Sequence, residues 1–264
     1  MNQSSPSRFQ RSCLAMVLSL SVASVALAAE PASAPSPRNA EGRVLISNAP
    51  GQPTGLWVPD YRNGMQMFKV DEVAFKPWAK GLYDARQAHD LEPHARCKAS
   101  GAIRQFLTPY GVEMLELPEL KRLYIFDVGG PHSYREVYMD GRPHPENPEP
   151  TNYGHNIGWW DGNTLVIDSV GYNTEFWFER AGLPHTEAAH VTEYFMRLDA
   201  DTMDYRFVLE DTLTYDKPVE GRMRFNWSGG EDLFEYMCQQ SNYAPELMVN
   251  DSLEAIGRTS PIVP

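Results

Sequence analysis

The 264 residues carry 35 acidic against 23 basic side chains, a formal net charge of −12, and 42% of the chain is hydrophobic. These proportions exclude a disordered or collagen-like protein. The negative charge argues against nucleic acid and anionic membrane surfaces as partners.

From the start of the chain, Met1 to Ala29 hold Arg8, Arg11, an apolar run from Leu14 to Leu27 and the small-residue site Ala26-Leu27-Ala28. That is the pattern of a secretory signal peptide, and its removal takes two arginines and leaves a charge of −14. Cys13 heads the apolar run rather than following the cleavage point, so a lipid-anchored N-terminus is not indicated. No other run reaches the roughly 18 apolar residues of a membrane span. The expectation is an exported protein, periplasmic or secreted. Residues 30–41, with Pro31, Ser33, Pro35, Ser36 and Pro37, have the composition of a disordered tether. Residues 42–105 are broken by Pro50, Pro53, Pro59, Pro77 and Pro93. Only Lys76 to Ala88 suits a short helix, and the segment reads as a strap.

Residues 106–264 change character. Short runs rich in Val, Ile, Tyr, Phe and Trp are bounded by Gly, Pro, Asn and Asp, the punctuation of strands. Nine are expected: Gly111–Leu117, Leu120–Asp127, Tyr134–Met139, Gly154–Trp160, Asn163–Val170, Ala188–Leu198, Met203–Asp211, Gly221–Trp227 and Leu233–Cys238. Short links and the lack of alternating helices predict an antiparallel meander, closed as an up-and-down barrel or strongly curled. Such a barrel has room for a small ligand inside, and residues 42–264 form one folded unit.

The hairpins place chemistry. A two-residue turn at Asp161-Gly162 sets His155 opposite Asp168, on a face shared with Ile157, Trp159 and Val166. A turn centred on Ala200-Asp201 sets His190 opposite Asp211, on a face with Thr192, Tyr194 and Met196. A carboxylate beside an imidazole fixes its tautomer and leaves the far nitrogen free to move a proton. His155, Asp168, His190 and Asp211 are therefore the candidate catalytic residues. The bland alternative is a pair of polar contacts that hold strand register. Tyr138, Arg142, His144, Trp159 and Tyr194 are candidates for binding substrate, Arg142 through a ligand carboxylate.

Histidines also gather near prolines in loops. His94-x-x-Cys97 has metal-ligand spacing but lacks a second such pair, so a metal site drawn from His94, His144 and His185 is a weaker alternative. No cofactor is implied. Cys97 and Cys238 remain after export, and either one disulfide or two buried thiols satisfies that count.

The blocks Tyr138-Met-Asp-Gly-Arg-Pro-His-Pro145, Gly154-His-Asn-Ile-Gly-Trp-Trp-Asp-Gly-Asn-Thr-Leu-Val-Ile-Asp168 and Gly182-Leu-Pro-His185 resemble a group of exported bacterial proteins of unknown function. The resemblance runs from about Pro93 to Cys238 and implies a bacterial exported protein, with no reaction attached. The segment Gly154 to Asp168 is also similar to lipocalin-like barrels, which bears on fold alone. The resulting expectation is a barrel acting on a small apolar or aromatic molecule, as a His/Asp isomerase or lyase. A non-catalytic carrier of the same ligand is the alternative, and a metal-dependent enzyme is a third. The sequence leaves the oligomeric state open.

Overall fold

The alternating segments form strands, and the strands close on themselves. A computed structural model describes residues 33–47, 51, 53–63, 67–90, 92–129, 131–236 and 238. The expected signal peptide and residues 30–32 lie outside them. The strands are β1 (Gly55–Pro59), β2 (Val112–Leu117), β3 (Arg122–Asp127), β4 (Tyr134–Tyr138), β5 (His155–Asp161), β6 (Thr164–Val170), β7 (His190–Arg197), β8 (Thr202–Glu210) and β9 (Val219–Gly229). Each bonds to the next in chain order, and β9 returns to β1 from Gly55↔Gly229 to Pro59↔Phe225, giving a closed mainly-β barrel.

The meander is antiparallel except at one junction. β4 and β5 run parallel, with Val137 beside Asn156 and Tyr138 beside Ile157. Residues 139–154 cross between them and are fastened at both ends. Met139 N–H donates to the Lys121 carbonyl (3.0 Å), and Thr151 N–H to that of Gly171 (3.1 Å).

Three expectations about organisation change. β1 lies within the segment read as a strap, where flanking prolines hide a five-residue strand that closes the ring. The expected strand beginning at Leu233 is irregular chain as far as Tyr236, its Phe234 and Tyr236 rings packed on Tyr110 at 5.6 and 5.4 Å. Residues 33–41 are docked rather than a free tether. Ala200 N–H donates to the Ala34 carbonyl (2.7 Å) and Ser36 Oγ to that of Arg197 (3.0 Å). A proline-rich chain lacks donors but keeps its acceptors, which suits it to docking on the donors of others. The helix expected over Lys76–Ala88 is α1 (Pro77–His89), with Pro77 in its first turn.

Both hairpin registers differ from expectation. Gly162 takes a positive φ of 58° as the first central residue of a Gly162-Asn163 turn, so pairing begins at Asp161↔Thr164. Asp168 then faces Ile157, and His155 faces Val170. In the second hairpin Arg197 pairs with Met203 and His190 with Glu210. This one-residue slip turns Val191, Glu193, Phe195 and Arg197 inward instead of Thr192, Tyr194 and Met196. Two inward charges on β7 made its core face look like the solvent face.

Those charges are part of a filled interior. The short 3₁₀ turn Ile103–Leu107 is buried at all five residues. Its Phe106 ring packs against Phe195, Tyr205 and Phe225 at 5.5, 4.9 and 5.5 Å, in the space where the sequence allowed a ligand. Beside them Arg135 forms a fully buried ion pair with Glu193. Arg135 also donates to Asn156 Oδ1 and Ser169 Oγ, both at 2.8 Å, and Tyr205 OH donates to Glu193 Oε1 at 2.8 Å. Burial works against the Arg135 charge, but the charge and hydrogen bond of Glu193 together with the neighbouring Tyr172 and Tyr205 prevail and hold the guanidinium above its ordinary pKa.

Candidate functional site

Strand alternation sends Asn156, Ser169 and Glu193 into the barrel, so their neighbours His155, Asp168 and Thr192 stand on its outer wall. In the corrected register His155 and Asp168 share that wall but are diagonal rather than opposite. The crossing segment 139–154 fills the gap between them with His144. His144 Nδ1 lies 2.8 Å from His155 Nδ1, and His144 Nε2 lies 2.8 Å from Asp168 Oδ1. On the far side His190 Nε2 reaches Asp168 Oδ2 at 2.8 Å, and its Nδ1 lies 3.6 Å from Glu210 Oε2. A continuous string results, running His155, His144, Asp168, His190, Glu210.

Electrostatics differ along the string. Burial acts to raise the Asp168 carboxyl, yet hydrogen bonds from His190 and His144 prevail and hold it below the usual carboxylate value. The Asp168 bond lifts His190 above an ordinary imidazole. His155 is lowered, first by burial and then by the charges of His144 and Arg142. One end of the string therefore favours a neutral base and the other a cation.

Tyr138 lies against the basic end. Its ring stacks on that of His155 at 5.1 Å and 21°, and the guanidinium groups of Arg142 and Arg122 stand over it at 4.1 and 4.3 Å. Arg142 also grips Asp140 with two bonds, Nε–Oδ1 at 2.9 Å and Nη2–Oδ2 at 2.6 Å, so it is already paired rather than waiting for a ligand carboxylate. Trp159, 45% exposed, and Tyr194 flank Val166 one row further along the same wall. Arg206 covers the Tyr194 ring at 5.0 Å.

Asp211 does not belong here. Its carboxylate accepts from Thr186 N–H (2.6 Å), Thr214 Oγ1 (2.6 Å) and Leu213 N–H (3.1 Å), and so ties two loops together. His94, His144 and His185 do not assemble either. His94 Nδ1 contacts Ser100 Oγ at 2.9 Å, and His185 is wedged between Phe176 and Phe178 at 4.5 and 4.4 Å. Burial lowers both imidazoles to about 4. Among the described residues no three His, Cys, Asp or Glu side chains are placed to hold a metal ion. Cys97 and Cys238 are bridged, their Cα atoms 5.8 Å apart.

Sequence reasoning placed His144 among substrate contacts and missed its central position. The signal available was Pro143-His144-Pro145, a histidine held stiffly within a loop. It also missed Arg122, Glu210 and Thr192, whose Oγ1 donates to Asp168 Oδ2 at 3.4 Å. A second polar cluster inside the barrel end was not foreseen at all. There Asp127 is buried and accepts from Tyr153 OH (2.5 Å) and Ser133 Oγ (3.2 Å). Burial pushes its carboxyl up to about 6.

Comparison of the chain with protein-family models, with curated proteins and with solved structures finds no match, so the reading of this site rests on its own geometry.

Proposed function

We propose that this is an exported acid–base enzyme acting on a small apolar or aromatic molecule, as an isomerase or lyase, with His155 as the proton-transfer group. The observation that carries the reading is the bonded string His155–His144–Asp168. A carboxylate only accepts, so His144 donates from Nε2 to Asp168. Neutral His144 then accepts at Nδ1 from the Nδ1–H of His155, and the lone pair of His155 lies on Nε2. A proton taken from substrate at Nε2 lets the Nδ1 proton pass to His144, where the positive charge rests beside Asp168. The reverse movement returns a proton, to a different substrate atom in an isomerase or to the leaving fragment in a lyase. Asp168 and His144 act through His155 and are positioning residues. The lowered pKa of His155 keeps its imidazole unprotonated and able to accept near neutral pH, and the exposed Trp159 beside this wall offers a flat apolar surface.

A carrier that encloses its ligand has less support, because Phe106 and its neighbours occupy the interior. Export is supported by the N-terminal pattern and by the bridged cysteines, which suit an oxidising compartment. The test is incubation with a metabolite extract, following retained and transformed compounds by mass spectrometry. A transformed compound whose turnover falls by about 10²-fold or more in His155→Gln supports the reading. A stoichiometric, unaltered ligand, or turnover unchanged in that variant, overturns it.

A further inference from the structure

Where the tips of the β2–β3 and β5–β6 hairpins meet, at one mouth of the barrel, lies a cavity of about 170 Å³. None of the five residues of the histidine string lines it, although Arg122 lines it and also lies over the Tyr138 ring that stacks on His155. Leu123, Leu165, Met139 and the Trp160 indole line it with apolar surface, while Arg43, Lys121, Arg122 and Glu116 bring three cations and one carboxylate to its rim. Arg43 and Arg122 have carboxylate partners, so the charge left in excess is that of Lys121.

Two of the three cations are engaged. Arg43 binds Glu116 at 2.8 Å and lies over the Trp160 ring at 4.2 Å. Arg122 binds Glu136 at 3.0 Å and reaches Asp140 at 3.5 Å. The Lys121 ammonium makes no hydrogen bond or ion pair with any described residue, although its backbone is firmly held. Lys121 N–H donates to the Pro118 carbonyl (3.1 Å), and its own carbonyl accepts from Met139 N–H (3.0 Å). It holds φ +50° and ψ +53°, a conformation that glycine or asparagine adopts at lower cost. Local strain at a non-glycine residue is a pointer to function where the side chain has a use.

We propose that this cavity binds a small organic carboxylate, its apolar body against Trp160 and its carboxylate on the Lys121 ammonium. The volume is small beside the ~300–1,000 Å³ of sites for drug-sized ligands, so the ligand carries one ring or a branched chain of similar bulk. The uncharged floor selects an amphipathic acid over inorganic anions. The proposal does not depend on the chemistry of His155.

Benzoate, with benzamide as its neutral counterpart, is the probe, and binding is followed by calorimetry and by the Trp160 indole N–H resonance. Benzoate is expected to saturate one site and to bind about tenfold or more tighter than benzamide, the size of a charge-assisted hydrogen bond. Lys121→Arg keeps this preference. Lys121→Gly removes the ammonium and relieves the backbone, so it should raise Tm while abolishing the preference, a combination that a merely structural lysine does not give. His155→Gln binds benzoate as the unaltered protein does, which separates this site from the acid–base reading. Equal binding of benzoate and benzamide, undiminished benzoate binding in Lys121→Gly, or no saturable binding overturns the proposal.

Discussion

The single carboxylate of Asp168 serves two imidazoles, His144 Nε2 on one oxygen and His190 Nε2 on the other, each at 2.8 Å. Replacing it with an amide breaks this symmetry, since one side of the amide donates. In Asp168→Asn the pKa of His190 should fall, because its raised value comes first from the Asp168 bond. Stabilisation through Asp168, whose pKa is lowered, exists above the unfolded carboxyl value and is lost as pH falls. Stabilisation through His190, whose pKa is raised, exists below the unfolded imidazole value and is lost as pH rises. The stability difference between the two proteins should therefore peak between about pH 4 and 6.5. Imidazole titration by NMR together with urea unfolding across that range checks both statements, and an unmoved His190 counts against them.

Asp127 responds to pH in the opposite sense. Burial raises its carboxyl to about 6, so between the unfolded value and 6 the unfolded chain releases its proton first. Stability declines as pH rises through this interval, by roughly 3 kcal/mol once complete. Asp127→Asn retains an acceptor for Tyr153 and Ser133 and removes the titration. Its unfolding free energy relative to the unaltered protein should improve by about that amount from pH 4 to 7, whereas parallel curves would refute the assignment.

Removing one half of the Arg135–Glu193 pair leaves a charge with no solvent. Glu193→Ala should destabilise the barrel by about 3–5 kcal/mol. The double replacement Arg135→Met with Glu193→Leu should cost far less, since neither charge remains to be desolvated. Urea unfolding of the unaltered protein, Glu193→Ala and the double variant decides the matter, and a double variant that loses as much as Glu193→Ala or more would refute it.

The bridge between Cys97 and Cys238 spans a sequence separation of 141, for which chain entropy assigns about 4–5 kcal/mol. The chain without residues 1–29, denatured but not reduced, should titrate no free thiol. Cys97→Ser with Cys238→Ser should lower stability by several kcal/mol, of the order given by that entropy. Two free thiols per chain would dispose of the bridge.

The mainly-β meander, closed or strongly curled, was legible from strand punctuation because alternation survives small errors of register. The site was only partly legible because it depends on register. The Gly162-Asn163 turn moves every β5–β6 partner by two, which keeps His155 and Asp168 on one wall but separates them. The β7–β8 slip of one residue replaces Asp211 by Glu210 opposite His190. Buried Glu193 and Arg197 misled the choice of core face, since hydrophobicity cannot announce a polar group that is satisfied inside. β1 escaped because five residues between prolines show no alternation worth counting.

The one parallel junction has a reason in parity. Around a closed ring, strictly alternating directions require an even number of strands; this ring has nine, so one neighbouring pair must point the same way. The misfit falls between β4 and β5, and there the chain must travel the length of the wall instead of turning tightly. That obligatory traverse is the segment that carries His144 onto the outer face between His155 and Asp168. A barrel of the same sequence style with eight or ten strands would need no such traverse. The odd strand thus creates the route by which the central imidazole arrives.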